Sequence, residues 1–337
     1  MNKAKILWLV LALIAVIAGI WVTISISQKS QPQPATTDQP ARAIATKDQD
    51  TLAQKNNMTS DAISLKISAF QKKPSLTTLT AVENEIRSQL PLLNIADRYK
   101  LLDKWEKALT PLISRLDPEQ GKLLSAYGAT IYNPVEGESV TDTQKKFDND
   151  FTASLEASQK SLLHQLTAHQ IEITTEEEVG PVFSLKPLYW KELFASSLPE
   201  SDQKFWDQKA FENDPVIDFD AGLAVDRITL GEWAFAWEQY LKKYPGSHYQ
   251  NQAKENYRSY MSYLLGGLEN TATLNTETNS IEPDVDADFD TIIKHHPNST
   301  VANSIIAFRK KVKEAGGQNN LQSNLYNLIN SILKNTR

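Results

Sequence analysis

The chain has 337 residues, 35 Lys and Arg against 41 Asp and Glu, a net charge of −6, and no cysteine. Without cysteine there is neither a disulfide nor a lipid-accepting lipobox, which excludes a disulfide-stapled scaffold and a bacterial lipoprotein. No basic cluster breaks the acidic balance, so nucleic acid and anionic lipid surfaces are poor partners.

Residues 1–5 carry Lys3 and Lys5 and lead into a nearly unbroken apolar run, Ile6 to Ile26 (ILWLVLALIAVIAGIWVTISI). As a helix this run spans about 31 Å, the thickness of a bilayer's hydrocarbon. Trp8 and Trp21 fall near its ends, at headgroup level, and the preceding charges favour a cytoplasmic N-terminus. The reading is a cytoplasmic tail at 1–5, a transmembrane anchor at 6–26 and an extracytoplasmic remainder, periplasmic or extracellular, on a single-pass membrane protein. A cleaved signal peptide is the competing reading, with Ser25-Ile26-Ser27 as its small-x-small site, but the run is long for one. Residues 27–60 (SQKSQPQPATTDQPARA and onward) are Gln, Thr, Asp, Pro and Ala, the composition of a disordered tether.

The region 61–185 reads as helical. Leu79, Val82, Ile86 and Leu90 recur at steps of three and four up to Pro91. Leu101, Leu102, Trp105, Leu109, Leu112, Ile113 and Leu116 repeat the pattern from Ile95, with Pro111 expected to kink or split the helix. After a breaker stretch, YNPVEGES at 132–139, one long polar helix is expected with Phe147, Phe151, Leu155, Leu162 and Leu166 on a stripe. Ile171-Glu172-Ile173 and Val182 to Leu185, around Gly180-Pro181, are the one plausible strand pair.

The region 186–337 is aromatic-rich: Tyr189 to Tyr263 holds 16 of the chain's 29 Phe, Trp and Tyr residues. Trp233, Trp237, Tyr240, Leu241 and Tyr244 share a helical face that should be core. The helix should stop at Tyr244-Pro245-Gly246, with Ser247 capping a second helix from Tyr249 to Leu265 and Gly266-Gly267 closing that one. The phrase returns 52 residues later. Ile292-Ile293-Lys294-His295-His296-Pro297-Asn298-Ser299 aligns with Tyr240-Leu241-Lys242-Lys243-Tyr244-Pro245-Gly246-Ser247 and leads into Val301, Ile305, Ile306 and Phe308. With the turn residues Tyr244, Pro245, Ser247, His296, Pro297 and Ser299, the sequence resembles tetratricopeptide-type helical repeats over about 229–315. An acidic insert at about 269–286 stretches the period beyond the usual one. The resemblance implies stacked antiparallel helix pairs and a protein-binding surface rather than a reaction. A last amphipathic helix, Leu321 to Leu333, would cap the stack.

Candidate chemistry is thin. Asp284, Asp286, Asp288 and Asp290 alternate like the start of a calcium loop, but Phe289 and His295 stand where an EF-hand needs Gly and Glu. The run reads as a solvated acidic linker. Neither His295-His296 nor His164 and His169 has metal-ligand spacing. Glu176-Glu177-Glu178 and Glu192 are the carboxylates to consider for glycan cleavage, with Trp190 and Trp206 as stacking rings. Phe219 to Leu223 reads as a loop. No cofactor, metal or catalytic set is expected. The fold expected is mainly α, a helical bundle or short α-solenoid-like extracytoplasmic domain behind one transmembrane helix. Its expected role is scaffolding for another cell-envelope protein. The alternative is an envelope glycan-binding protein or hydrolase using the aromatic region.

Overall fold

In the computed structural model, which describes residues 62–131, 140–176, 179–213, 217–219, 221–315, 321 and 324–335, the chain is mainly helical. The expected anchor at Ile6 to Ile26, the tail before it, the tether at 27–60, the 132–139 breaker, Glu177-Glu178 and Gly316-Gly317 lie outside the described residues. Among the described residues, no helix is long and apolar enough to cross a membrane.

Helix α1 (62–72) buries Ile63, Ile67 and Phe70. Ser75 opens α2 (Leu76–Gln89) with a reciprocal cap: Thr78 N–H donates to Ser75 Oγ and Ser75 N–H to Thr78 Oγ1. Pro91 ends that helix in a 3-10 turn, Leu90–Leu92. Asn94 caps α3 (Ile95–Leu109), and Pro111 turns the end of this stretch into a 3-10 segment, Thr110–Arg115, so the expected split occurs. Helix α4 (Gln120–Ala129) comes next.

The expected single polar helix is two, α5 (Val140–Ser154) and α6 (Ala157–Ala168). The break is local: Glu156 is extended and forms a capping box with Gln159, while Leu155 stays buried and keeps the apolar stripe continuous. The expected strand pair is present as an antiparallel hairpin, β1 (Ile171–Glu176) and β2 (Gly180–Leu185), with Ile171 opposite Leu185. Then come α7 (Pro187–Phe194) and α8 (Glu200–Glu212).

A first core runs from Ile63 to Leu198, and a second begins at Phe205 on α8 and runs to Leu333, with Trp206 packed on both. The first core encloses polar groups as a network. The Trp105 indole N–H donates to Tyr189 Oη at 2.7 Å, and the buried Glu83 carboxylate receives His169 Nδ1 at 3.0 Å.

The second core holds two helical hairpins, α9 (Arg227–Lys243) with α10 (Gln250–Gly266), and α11 (Pro283–His295) with α12 (Thr300–Glu314), followed by α13 (Leu325–Asn335). Two strand pairs that the sequence pattern does not announce join them: β3 (Asp218–Phe219) with β4 (Gly222–Leu223), and β5 (Gly267–Leu268) with β6 (Thr271–Ala272). The Phe219 to Leu223 segment, expected as a loop, contributes to the first pair. Gly267 takes φ +65° against the Thr271 carbonyl and the Arg227 guanidinium, which leaves no room for a side chain. The acidic insert is therefore a hairpin and a Leu274–Ile281 bridge, and Asp284 to Asp290 belong to α11.

Helices α9 and α11 meet at Gly231, where a Cβ would lie 2.7–3.0 Å from three atoms of the fully buried Ile292 side chain. Gly231→Ala gains about 1 kcal/mol of helix propensity but overpacks the crossing by about 1–3 kcal/mol. The expected result is a net loss of about 1 kcal/mol in a denaturant titration, recovered when Ile292→Val is added. A gain of stability from Gly231→Ala alone would show that the crossing is not tight.

Candidate functional site at the junction of the hairpins

The two repeated turns are one conformation built from two sequences. Tyr244 closes α9 at φ −124°, ψ 58°, and His296 closes α11 at φ −129°, ψ 58°. Two residues on, Gly246 and Asn298 both take positive φ, +82° and +67°. Glycine costs nothing there, and asparagine is among the few other residues that tolerate it. In each turn the serine N–H returns to the carbonyl of the helix-closing residue, Ser247 to Tyr244 and Ser299 to His296.

The serine side chains then diverge. Ser299 caps α12 by accepting from Ala302 N–H at 2.9 Å. Ser247 does not cap α10 as expected; its hydroxyl accepts from Tyr240 Oη at 3.0 Å, and α10 starts at Gln250 without a side-chain cap. Position 240 aligns with Ile292, which has no hydroxyl, so only the second serine is left to cap. Tyr244 itself donates to Glu200 on α8 at 2.8 Å.

What joins the hairpins is a carboxylate that no sequence motif singles out. Glu238 on α9 is buried, and it receives Thr300 N–H on Oε1 at 2.9 Å and Val301 N–H on Oε2 at 3.0 Å. With Ser299 on Ala302, the three N–H groups that open α12 all have partners. Lys242 pairs with the same carboxylate from the solvent side. Burial pushes the Glu238 carboxyl upward, but Lys242 and the two backbone N–H groups prevail and hold it below the usual range. A readable signal exists all the same: Glu238 falls on the stripe of Leu230, Ala234, Trp237 and Leu241, where a carboxylate must find donors.

On the open side of the junction, His295 Nδ1 lies 2.9 Å from Glu232 Oε1 and His296 Nε2 lies 2.7 Å from Oε2. The His296 ring stacks on Phe235 with centroids 3.7 Å apart. His296 thus has the packing role expected from its alignment with Tyr244, and it adds a polar tie between α9 and α11. Among the described residues, no three His, Asp or Glu side chains form a group able to hold a metal.

The other candidates are dispersed. Alternate residues on a helix point about 200° apart, and the four aspartates obey that rule. Asp286 and Asp290 bind Arg309 on α12, at 2.7 Å to each carboxylate. Burial raises the Asp288 carboxyl, partly opposed by Arg227. Glu192 is exposed and accepts from Gln170, and Glu176 ends β1 on the surface. His164 is exposed on α6, far in role from His169, which is held by Glu83.

Most of the aromatic window is core, with Trp233 and Tyr244 half-buried and Phe211 71% exposed. Trp190, Trp237, Tyr240, Tyr249, Tyr257 and Tyr260 are all buried, and Phe205 stacks on Tyr249 at 4.3 Å. Rings that give their faces to one another offer none to a sugar. In comparisons with known proteins, no family model matches the chain, and no curated protein or solved structure does either.

Proposed function

We propose that this chain is a membrane-anchored extracytoplasmic scaffold whose paired hairpins, a tetratricopeptide-like unit, bind another cell-envelope protein. The observation that carries the reading is the junction. Two hairpins with the same turn geometry are locked by Glu238 on the N-terminus of α12 and by Gly231 against Ile292. A rigid pair of this kind presents α9 and α11 side by side as a preformed surface, which lowers the ordering cost of binding. Glu232, Gln239, Thr291 and His295 line that surface at helical spacing. The run Ile6 to Ile26 supplies the anchor in this reading.

Photo-crosslinking residues at Gln239 and Thr291, introduced into the full chain in intact membranes, should give the same discrete adduct. One at Gln165 on α6 should give none. Adducts that are equal from all three positions, or absent from Gln239 and Thr291, would overturn the assignment. External protease on intact spheroplasts should remove everything beyond the anchor; full protection would refute the topology.

A further inference from the structure

The acidic insert, once folded, leaves a cleft beside the second hairpin. The loop closed by the Leu274–Ile281 bridge faces the start of α11 and the end of α12, and an open cavity of about 460 Å³ lies between them. That volume falls within the range of small-molecule sites, about 300–1,000 Å³. Ile281 and Val312 supply its apolar lining, and Ser280, Asp286, Arg309 and Lys313 supply polar groups.

These polar groups are held in place by the protein itself. Asn275 Oδ1 accepts from the N–H groups of Glu277 and Thr278, each at 3.0 Å, and from the Thr278 hydroxyl at 3.1 Å. Having donated there, the Thr278 hydroxyl accepts from Ser280 Oγ at 2.8 Å, which leaves the Ser280 oxygen as an acceptor. On the other wall Arg309 gives three N–H groups to α11, from Nε to Asp286 Oδ1, from Nη1 to Asp290 Oδ1 and from Nη2 to the Asp286 carbonyl. Two guanidinium N–H groups and Asp286 Oδ2 remain for a ligand. The two aspartates offset the charge of Arg309, whereas Lys313 has no carboxylate partner among the described residues.

The cleft therefore offers oxygen acceptors, nitrogen donors and one uncompensated positive charge around an aliphatic lining. A matching ligand has hydroxyls to donate, oxygens to accept, one negative charge and a C–H face. We propose that the cleft binds an acidic sugar, a single ring with one carboxylate. The carboxylate meets Lys313, and the hydroxyls reach Ser280, Asp286 and Arg309. No aromatic ring lines the cleft, so binding is weak, with a Kd on the order of 1 mM. The site shares no residue with the surface of Glu232, Gln239, Thr291 and His295, so the crosslinking result neither supports nor harms it.

Saturation-transfer NMR on the full chain, with glucuronate, glucose and acetate as probes, tests the site. Glucuronate should bind saturably; glucose, without the charge, and acetate, without the hydroxyls, should each bind at least threefold more weakly. Lys313→Gln should reduce glucuronate to the level of glucose. Ser280→Trp, which fills the cleft from an exposed position, should abolish glucuronate binding with an unchanged thermal midpoint. If that variant is destabilised, Lys313→Glu takes its place, with the same loss expected. Absence of saturable glucuronate binding overturns the proposal. Equal binding of acetate does so too, since a bare anion contact at a lysine would then suffice. Full binding retained by a folded cleft variant places the ligand elsewhere and is equally fatal.

Discussion

Glu238→Ala should lower stability by about 2–4 kcal/mol. The substitution strips Thr300 and Val301 of their acceptor at a helix start that is largely closed to water. Each buried donor left unpaired costs about 1–3 kcal/mol, and a carboxylate at a helix N-terminus adds its own favourable interaction with the dipole. The exposed partner in the same junction gives the scale. Glu232 binds two imidazoles, but its side chain is 41% exposed, and such pairs contribute about 0–1 kcal/mol. Glu232→Ala should therefore move the thermal midpoint by a degree or two, and Glu238→Ala by about 5–12 °C. The pH dependence has a definite sign. A carboxyl held low in the folded chain contributes stability that is fully present above its unfolded value, about 4.3. That contribution fades as pH falls through the lower folded value. Acid titration of the unaltered chain should show this loss and Glu238→Ala should lack it. Equal midpoints for the two alanine variants would show that Glu238 is not the tie between the hairpins.

The parts of the fold legible in the sequence are those where apolar period and a breaker coincide. Pro91, Pro111 and the paired proline turns fall where the helices end because proline removes a donor whatever the surroundings. Elements set by tertiary partners are not legible. The stripe through Phe147, Phe151, Leu155 and Leu162 is continuous across a helix break, so period alone joins α5 to α6; the capping box at Glu156 and Gln159 is the signal that separates them. Strands of two residues, such as β5 and β6, carry no period at all. The junction is half legible: the matching turn phrases place Tyr244 and His296 in equivalent positions. Of the residues that tie the hairpins together, Glu238 is marked only by its place on an apolar stripe, and Glu232 and Gly231 obey no turn rule and escape a reading of the sequence alone.

A second buried glutamate should behave in the opposite way, and the contrast separates a carboxylate that stabilises from one that costs. Glu212, at the end of α8, is buried and receives Tyr260 Oη at 2.6 Å and Gln208 Nε2 at 2.8 Å. Neither donor is charged. Burial pushes the Glu212 carboxyl up, and Tyr260, Gln208 and the Lys209 charge offset this only in part. Between the unfolded value, about 4.3, and the raised folded value, the folded chain binds the extra proton, so stability falls as pH rises through that window. Once ionised in the folded chain, the group is a net cost, because removing a buried charge while keeping its shape is commonly neutral or favourable. Glu212→Gln keeps the shape and an acceptor for Tyr260. It should raise stability above that window by about 1–3 kcal/mol and flatten the fall in stability that begins above about pH 4.3. The same substitution at Glu238 should destabilise, since a glutamine amide turns its NH2 toward one of two backbone N–H donors that cannot reverse, whereas at Glu212 the Gln208 amide can turn its oxygen to the new NH2. If Glu212→Gln lowers the midpoint at pH 7 instead, the bonds from Tyr260 and Gln208 outweigh the cost of burying the charge.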